Sequence, residues 1–92
     1  MENNIVGEGV EGWEGSMITR NSIGKDVKIG KEVRIVNSVL QEGAVIGSNC
    51  YIENCIIGRK AVIEDGCKLN ECLVNIGSVV KKNSAYDKET DL

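Results

Sequence analysis

Ninety-two residues with a formal net charge of −3 make one domain, small enough that a globular core would be marginal unless repeats share it along an axis. The acidic balance and the lack of any basic cluster leave no electrostatic footprint for nucleic acid. The start MENNIV has no basic or apolar leader pattern, and no apolar run approaches the roughly eighteen residues of a spanning helix, so the expectation is a soluble, cytoplasmic chain with no membrane partner.

In chain order, apolar anchors recur at spacings of six, six and five from Val6 onwards. The first set is Val6, Gly12 and Ile18, with Gly12 standing where an aliphatic residue is expected. Ile23, Ile29 and Ile35 follow, then Leu40, Ile46 and Ile52, then Ile57, Ile63 and Leu69, and last Val74, Val80 and Tyr86. A fixed period of seventeen residues marks a solenoid, whose turns bury their apolar faces only by stacking on one another. The reading is a single domain over 1–92 with about five coils, repeating from 6 to 86, and a polar C-terminal segment 87–92 that is expected to be loose.

Glycine sorts into columns of the same period. Gly7, Gly24, Gly30, Gly47 and Gly58 stand one residue after an anchor, while Gly9, Gly15, Gly43, Gly66 and Gly77 stand three after. Asn49 and Asn83 share the second column, and Asn37 and Asn54 hold the matching place on the five-residue side, so these are corners. Between corners, triplets such as Ala44-Val45-Ile46 and Cys50-Tyr51-Ile52 form strands with the first and third side chains inward and the middle one outward. On the short side the missing residue falls in the corner, which leaves Ser38 in, Val39 out and Leu40 in, above a small inward column of Ser38, Cys55 and Cys72. Helix is a poor competitor, because anchors six apart do not line one face and each interior glycine would cost about 1 kcal/mol. Three-residue strands are too short for an antiparallel meander, whereas a triangular prism with coils about 4.8 Å apart satisfies every column.

The hexapeptides SVLQEG, AVIGSN, CIIGRK and AVIEDG resemble the repeat of left-handed parallel β-helices, and the left hand is implied by that resemblance alone. Within that group, the seventeen-residue coil and the stretches IVNSVL, IENCII and LNECLV are most similar to the C-terminal domains of sugar-nucleotidyltransferase-like proteins. These include GDP-mannose pyrophosphorylase and the gamma and epsilon subunits of translation initiation factor 2B, a guanine-nucleotide exchange factor, with the gamma subunit nearest. The resemblance implies a non-catalytic assembly domain in such a gamma-like subunit. The alternatives are the C-terminal domain or remnant of a sugar-nucleotide pyrophosphorylase or hexapeptide-repeat transferase, and a free-standing homo-oligomer.

Hexapeptide acyltransferases use a histidine base and the gamma-type carbonic anhydrases hold zinc with three histidines, whereas this chain has none. Nucleotide transfer lacks both room for a nucleotide-binding domain and a Gly-rich phosphate loop, so neither enzyme activity nor a cofactor is expected. The cysteines, C-x4-C-x11-C-x4-C, follow the repeat rather than a zinc pattern: Cys50 and Cys67 stack in one inward column, Cys55 and Cys72 in another. In-register strands hold such pairs too far apart for disulfides. A corner column of alternating sign, Glu8, Lys25, Glu42 and Arg59, reads as a solvated face.

Candidate function lies in the outward residues. One side shows Ser22, Val39, Ile56 and Leu73, the adjacent side Lys28, Val45, Val62 and Val79, and the third a mixed row of Met17, Arg34, Tyr51, Lys68 and Ala85. Val39, Ile56, Leu73, Val45, Val62 and Val79 are therefore expected to form a contiguous apolar interface for other subunits of a complex or for self-association. Trp13 and Tyr86 are expected to cap the two ends.

Overall fold

A computed structural model describes all 92 residues and contains strands only, fifteen of them, numbered here in chain order. Three five-stranded parallel sheets form the sides of a prism. The first side stacks β1 (Ile5–Val6), β4 (Ser22–Ile23), β7 (Val39–Leu40), β10 (Ile56–Ile57) and β13 (Leu73–Val74). The second stacks β2 (Glu11–Gly12), β5 (Lys28–Ile29), β8 (Val45–Ile46), β11 (Val62–Ile63) and β14 (Val79–Val80). The third stacks β3 (Met17–Thr19), β6 (Arg34–Val36), β9 (Tyr51–Glu53), β12 (Lys68–Asn70) and β15 (Ala85–Asp87). Every pair is parallel and in register at seventeen residues, as in Ile56↔Leu73, Val62↔Val79 and Lys68↔Ala85. Five coils at about 4.8 Å stack to roughly 24 Å, in keeping with a longest extent of 27 Å. No helix is long and apolar enough to cross a membrane.

The inward columns meet in one core of 20 buried residues, with Ile35, Ile52, Ile57, Ile63, Leu69 and Val74 wholly enclosed. Alternation holds on the short side too, since Ser38 and Leu40 are buried while Val39 faces out. The two glycine columns turn out to serve different needs. Those three residues after an anchor take positive φ, as at Gly43 (73°). Those one residue after do not; a Cβ at Gly47 would instead stand 2.7 Å from the Asp65 backbone nitrogen in the next coil. The third corner is left-handed at Asn3, Arg20, Asn37, Asn54, Glu71 and Lys88, so charged residues share a conformation that only its asparagines announce.

That corner has a further requirement, invisible in the spacing. The residue after it turns inward, and its N–H has no backbone carbonyl to meet. A ladder of side chains supplies the acceptor from the coil before: Asn4 Oδ1 takes the Asn21 N–H (2.9 Å), Asn21 Oδ1 the Ser38 N–H (2.7 Å), Ser38 Oγ the Cys55 N–H (3.1 Å) and Cys55 Sγ the Cys72 N–H (3.4 Å). Asn21 adds a bond from Nδ2 to the Ile35 carbonyl at 2.9 Å, which explains how an amide is buried in this core. Ser38→Ala is expected to cost about 1–3 kcal/mol in urea denaturation, the cost of leaving a buried N–H unpaired, although it removes one hydroxyl.

The ends depart from expectation. Trp13 and Tyr86 stay 37 % and 40 % exposed, and the residues that pack against the ends of the core are Val10 and Leu92. Gly12 has φ 98°, and a Cβ there would run into the Ile29 carbonyl, so no aliphatic anchor fits at this place; Trp13 follows with φ 62°. The segment 87–92 is held rather than loose. Asp87 belongs to β15, the Leu73 N–H donates to the Glu89 carbonyl (2.8 Å), and the Asn75 N–H donates to that of Leu92 (2.8 Å). Strict register would bring residue 91 to that place; a slip of one residue brings Leu92 instead, with its side chain over the core.

Candidate interaction surface

The outward residues of the first side follow from the burial of their neighbours. With Leu40, Ile57 and Val74 locked inward, pleating turns Val39, Ile56 and Leu73 to the outside, where Ile56 is 45 % exposed. On the second side Val79 is 49 % exposed, while Val45 and Val62 are half-buried. Both stripes are aliphatic through the last three coils; Ser22 and Lys28 interrupt them in the second, and in the first the same places hold Ile5 and Glu11. The third side is mixed: the Arg34 guanidinium sits 5.4 Å from the Tyr51 ring centre, and the Tyr51 hydroxyl donates to Glu53 (3.1 Å).

The six residues do not make one contiguous patch. They lie on two sheets that meet at a corner, and in the third and fourth coils that corner carries Glu42, Arg59 and Lys60 between the stripes. Only in the last coil does an apolar residue bridge them: Ile76, 61 % exposed, between Leu73 and Val79. A shallow depression of ≈ 300 Å³ opens beside it, lined by Glu42, Arg59, Lys60 and Ile76. Ile76 was legible as the next residue in the column Glu8, Lys25, Glu42, Arg59, a column set aside as charged. Its rungs form no ion pair; the one ion pair is Lys31 with Glu14, at 3.7 Å and exposed.

The cysteines supply no reactive group at this surface. All four are buried, and their thiols donate inward to carbonyls, Cys50 to Glu64 (3.2 Å), Cys55 to Glu53 (3.2 Å), Cys67 to Lys81 (3.1 Å) and Cys72 to Asn70 (3.3 Å). Burial pushes the Cys50 thiol up, and pushes that of Cys55 from 9.0 to about 11. The folded state thus favours the protonated thiol: the contribution of Cys55 to stability is whole below pH 9.0 and is lost as the pH rises through about 11. Urea midpoints at pH 8 and pH 11 are expected to fall further for the wild type than for Cys55→Ser, which has no thiol to ionise. At pH 8 the folded protein is expected to resist thiol reagents until denatured.

With the coil, the columns and the faces defined, comparison with known proteins places the molecule. The family model of the GMPPB C-terminal domain matches residues 1–89. The chain belongs to this family. GMPPB C-terminal domains are left-handed β-helices of the sugar-nucleotidyltransferase group, so the hand implied by the hexapeptides is that of the family. Among solved structures, a Bacillus cereus protein described as an acetyltransferase superimposes with a TM-score of 0.52 at 18 % identity, over 92 % of this chain and 59 % of that one. The chain therefore spans about three fifths of that structure, and the likeness is one of fold. No curated protein matches.

Proposed function

We propose that this GMPPB C-terminal domain is a non-catalytic assembly element that packs against another protein through the sides bearing Val39, Ile56 and Leu73 and Val45, Val62 and Val79. The observation that carries this reading is the exposure of Ile56, Leu73, Ile76 and Val79 around one corner of the last coils. Keeping such residues in water gains nothing for the fold, because their neighbours already fill the core, while large apolar surfaces on folded proteins commonly mark interfaces. The corner charges Glu42, Arg59 and Lys60 between the stripes suit the polar part of such a contact. The narrower placement, in a cytoplasmic subunit like the gamma subunit of initiation factor 2B, rests on the motifs IVNSVL, IENCII and LNECLV.

Recovery of the chain from native extract, followed by size exclusion with light scattering, tests the proposal. Co-elution with a stoichiometric protein partner, or with further copies of itself, is the expected result. A transferase reading predicts instead that acyl-CoA or a nucleotide sugar raises the melting temperature, and such a shift on a monomeric chain would replace the assembly role. Stoichiometric co-purification with initiation-factor subunits would single out the narrower placement; a pyrophosphorylase in their stead would rule it out.

A further inference from the structure

The two ends of the solenoid are built differently. At the N-terminal end β1 and β2 have no neighbour on their outer edge, Ile5 is 77 % exposed and Val6 42 %, and the only strand there with a partner is β3, through the bridge of Glu2 to Thr19. At the C-terminal end residues 88–92 lie along β13 and Leu92 packs on the core. This segment imitates a sixth coil. Lys88 repeats the left-handed corner of Asn3, Arg20, Asn37, Asn54 and Glu71, and the Leu73 and Asn75 N–H groups donate to Glu89 and Leu92 just as the Ile5 and Gly7 N–H groups donate to Asn21 and Ile23.

We propose that residues 88–92 are a displaceable cap, and that the last coil beneath them is a docking surface for the first coil of a second copy stacked head to tail. The repeat fixes the register. One coil beyond Leu73 and Val74, the next copy brings Ile5 and Val6, and its Asn4 and Val6 carbonyls, which have no backbone donor in their own chain, reach the N–H groups now bonded to Glu89 and Leu92. The incoming Met1–Asn3, held through the single Glu2 bridge, gives way because Asp87 already fills Glu2's place in the column. Charge agrees with this order: Glu14 of the second copy falls over Lys82, in the column where Glu14 already pairs with Lys31 at 3.7 Å. Head-to-head stacking would bring Glu2, Glu8, Glu11 and Glu14 against their own kind. A heterologous contact of this sort does not close, so stacking of this kind adds coil upon coil.

The test compares the full chain with two variants, Leu92→Asp and a chain ending at Asp87, by light scattering over a concentration series, with circular dichroism to follow folding. Both variants are expected to gain mass with concentration beyond the full chain. Adding Ile5→Lys and Glu14→Lys, both exposed at the open end, is expected to reverse that gain, whereas Ile56→Lys with Val62→Lys, on the sides, is expected to leave it. Folded variants with the mass of the full chain would overturn the proposal. So would growth that survives the changes at Ile5 and Glu14, which assigns the contact elsewhere. Loss of folding in both variants would overturn it as well, because a last coil that cannot stand without its tail cannot receive a second copy.

Discussion

Ile63→Ala is expected to lower the unfolding free energy by about 2–5 kcal/mol, while Lys60→Ala three residues earlier stays within about 0.5 kcal/mol of the wild type. Ile63 is wholly buried in the fourth coil, in register with Ile46 before it and Val80 after it, so truncation opens a cavity that two coils share. The stack resists collapse there, because seventeen-residue register holds the backbones apart whatever the side chain. Lys60 sits at a left-handed corner with its side chain in solvent, and lysine and alanine share the strain of that backbone equally. Domains of this size hold about 5–15 kcal/mol in all, so the first change removes a large part of the margin. Urea midpoints of the two variants check it, and equal effects would mean that the side chain at 63 does not carry the core.

Ile56→Lys together with Val62→Lys is expected to abolish assembly with the partner and to leave cooperative unfolding intact. Both residues are the outward member of a strand pair whose inner member, Ile57 or Ile63, is fully buried, so lysine meets solvent rather than core. At an interface the same two changes place two ammonium groups against apolar surface, and unpaired buried charge costs several kcal/mol per ion. Two such penalties exceed what most interfaces of moderate affinity can absorb. Size exclusion with light scattering and a pull-down from native extract measure the outcome, with the thermal transition as the control for folding. Survival of the complex would move the interface to the third side, where Tyr51, Lys68 and Ala85 line a shallow depression of ≈ 460 Å³ with Tyr86 and Asp87.

The distribution of what was legible follows from which interactions are periodic. Anchors such as Leu40, Ile57 and Val74 stand in the sequence at the interval at which they stack in space, so coil length, sheet register and the inward or outward sense of residues in the central coils could be read directly, Val36 excepted, which is buried beside Ile35. The same period carried the candidate surface as far as Val39, Ile56, Leu73, Val45, Val62 and Val79 facing out. Whether those residues form one patch depends on the corner between two sheets. There the column changes from Arg59 to Ile76, and a reading by column type passes over the exception. The left-handed corners at Arg20, Glu71 and Lys88 were hidden likewise, because their residue types do not advertise the backbone they adopt.

The amino-acid sequence by itself determined the solenoid, its seventeen-residue coil and its single core, because in a one-dimensional stack each coil meets only its neighbours and local pattern equals tertiary contact. Only the tertiary structure decided what happens where the stack stops or a backbone group is left over. Val10 and Leu92 rather than Trp13 and Tyr86 pack against the core ends, because Gly12, where a Cβ would strike the Ile29 carbonyl, leaves the first coil without an anchor at that place and a one-residue slip delivers Leu92 at the other end. The column of Asn4, Asn21, Ser38 and Cys55 reads as small filler in sequence, but it accepts N–H groups that the short corner leaves without a carbonyl, a need that arises only once the coils are closed.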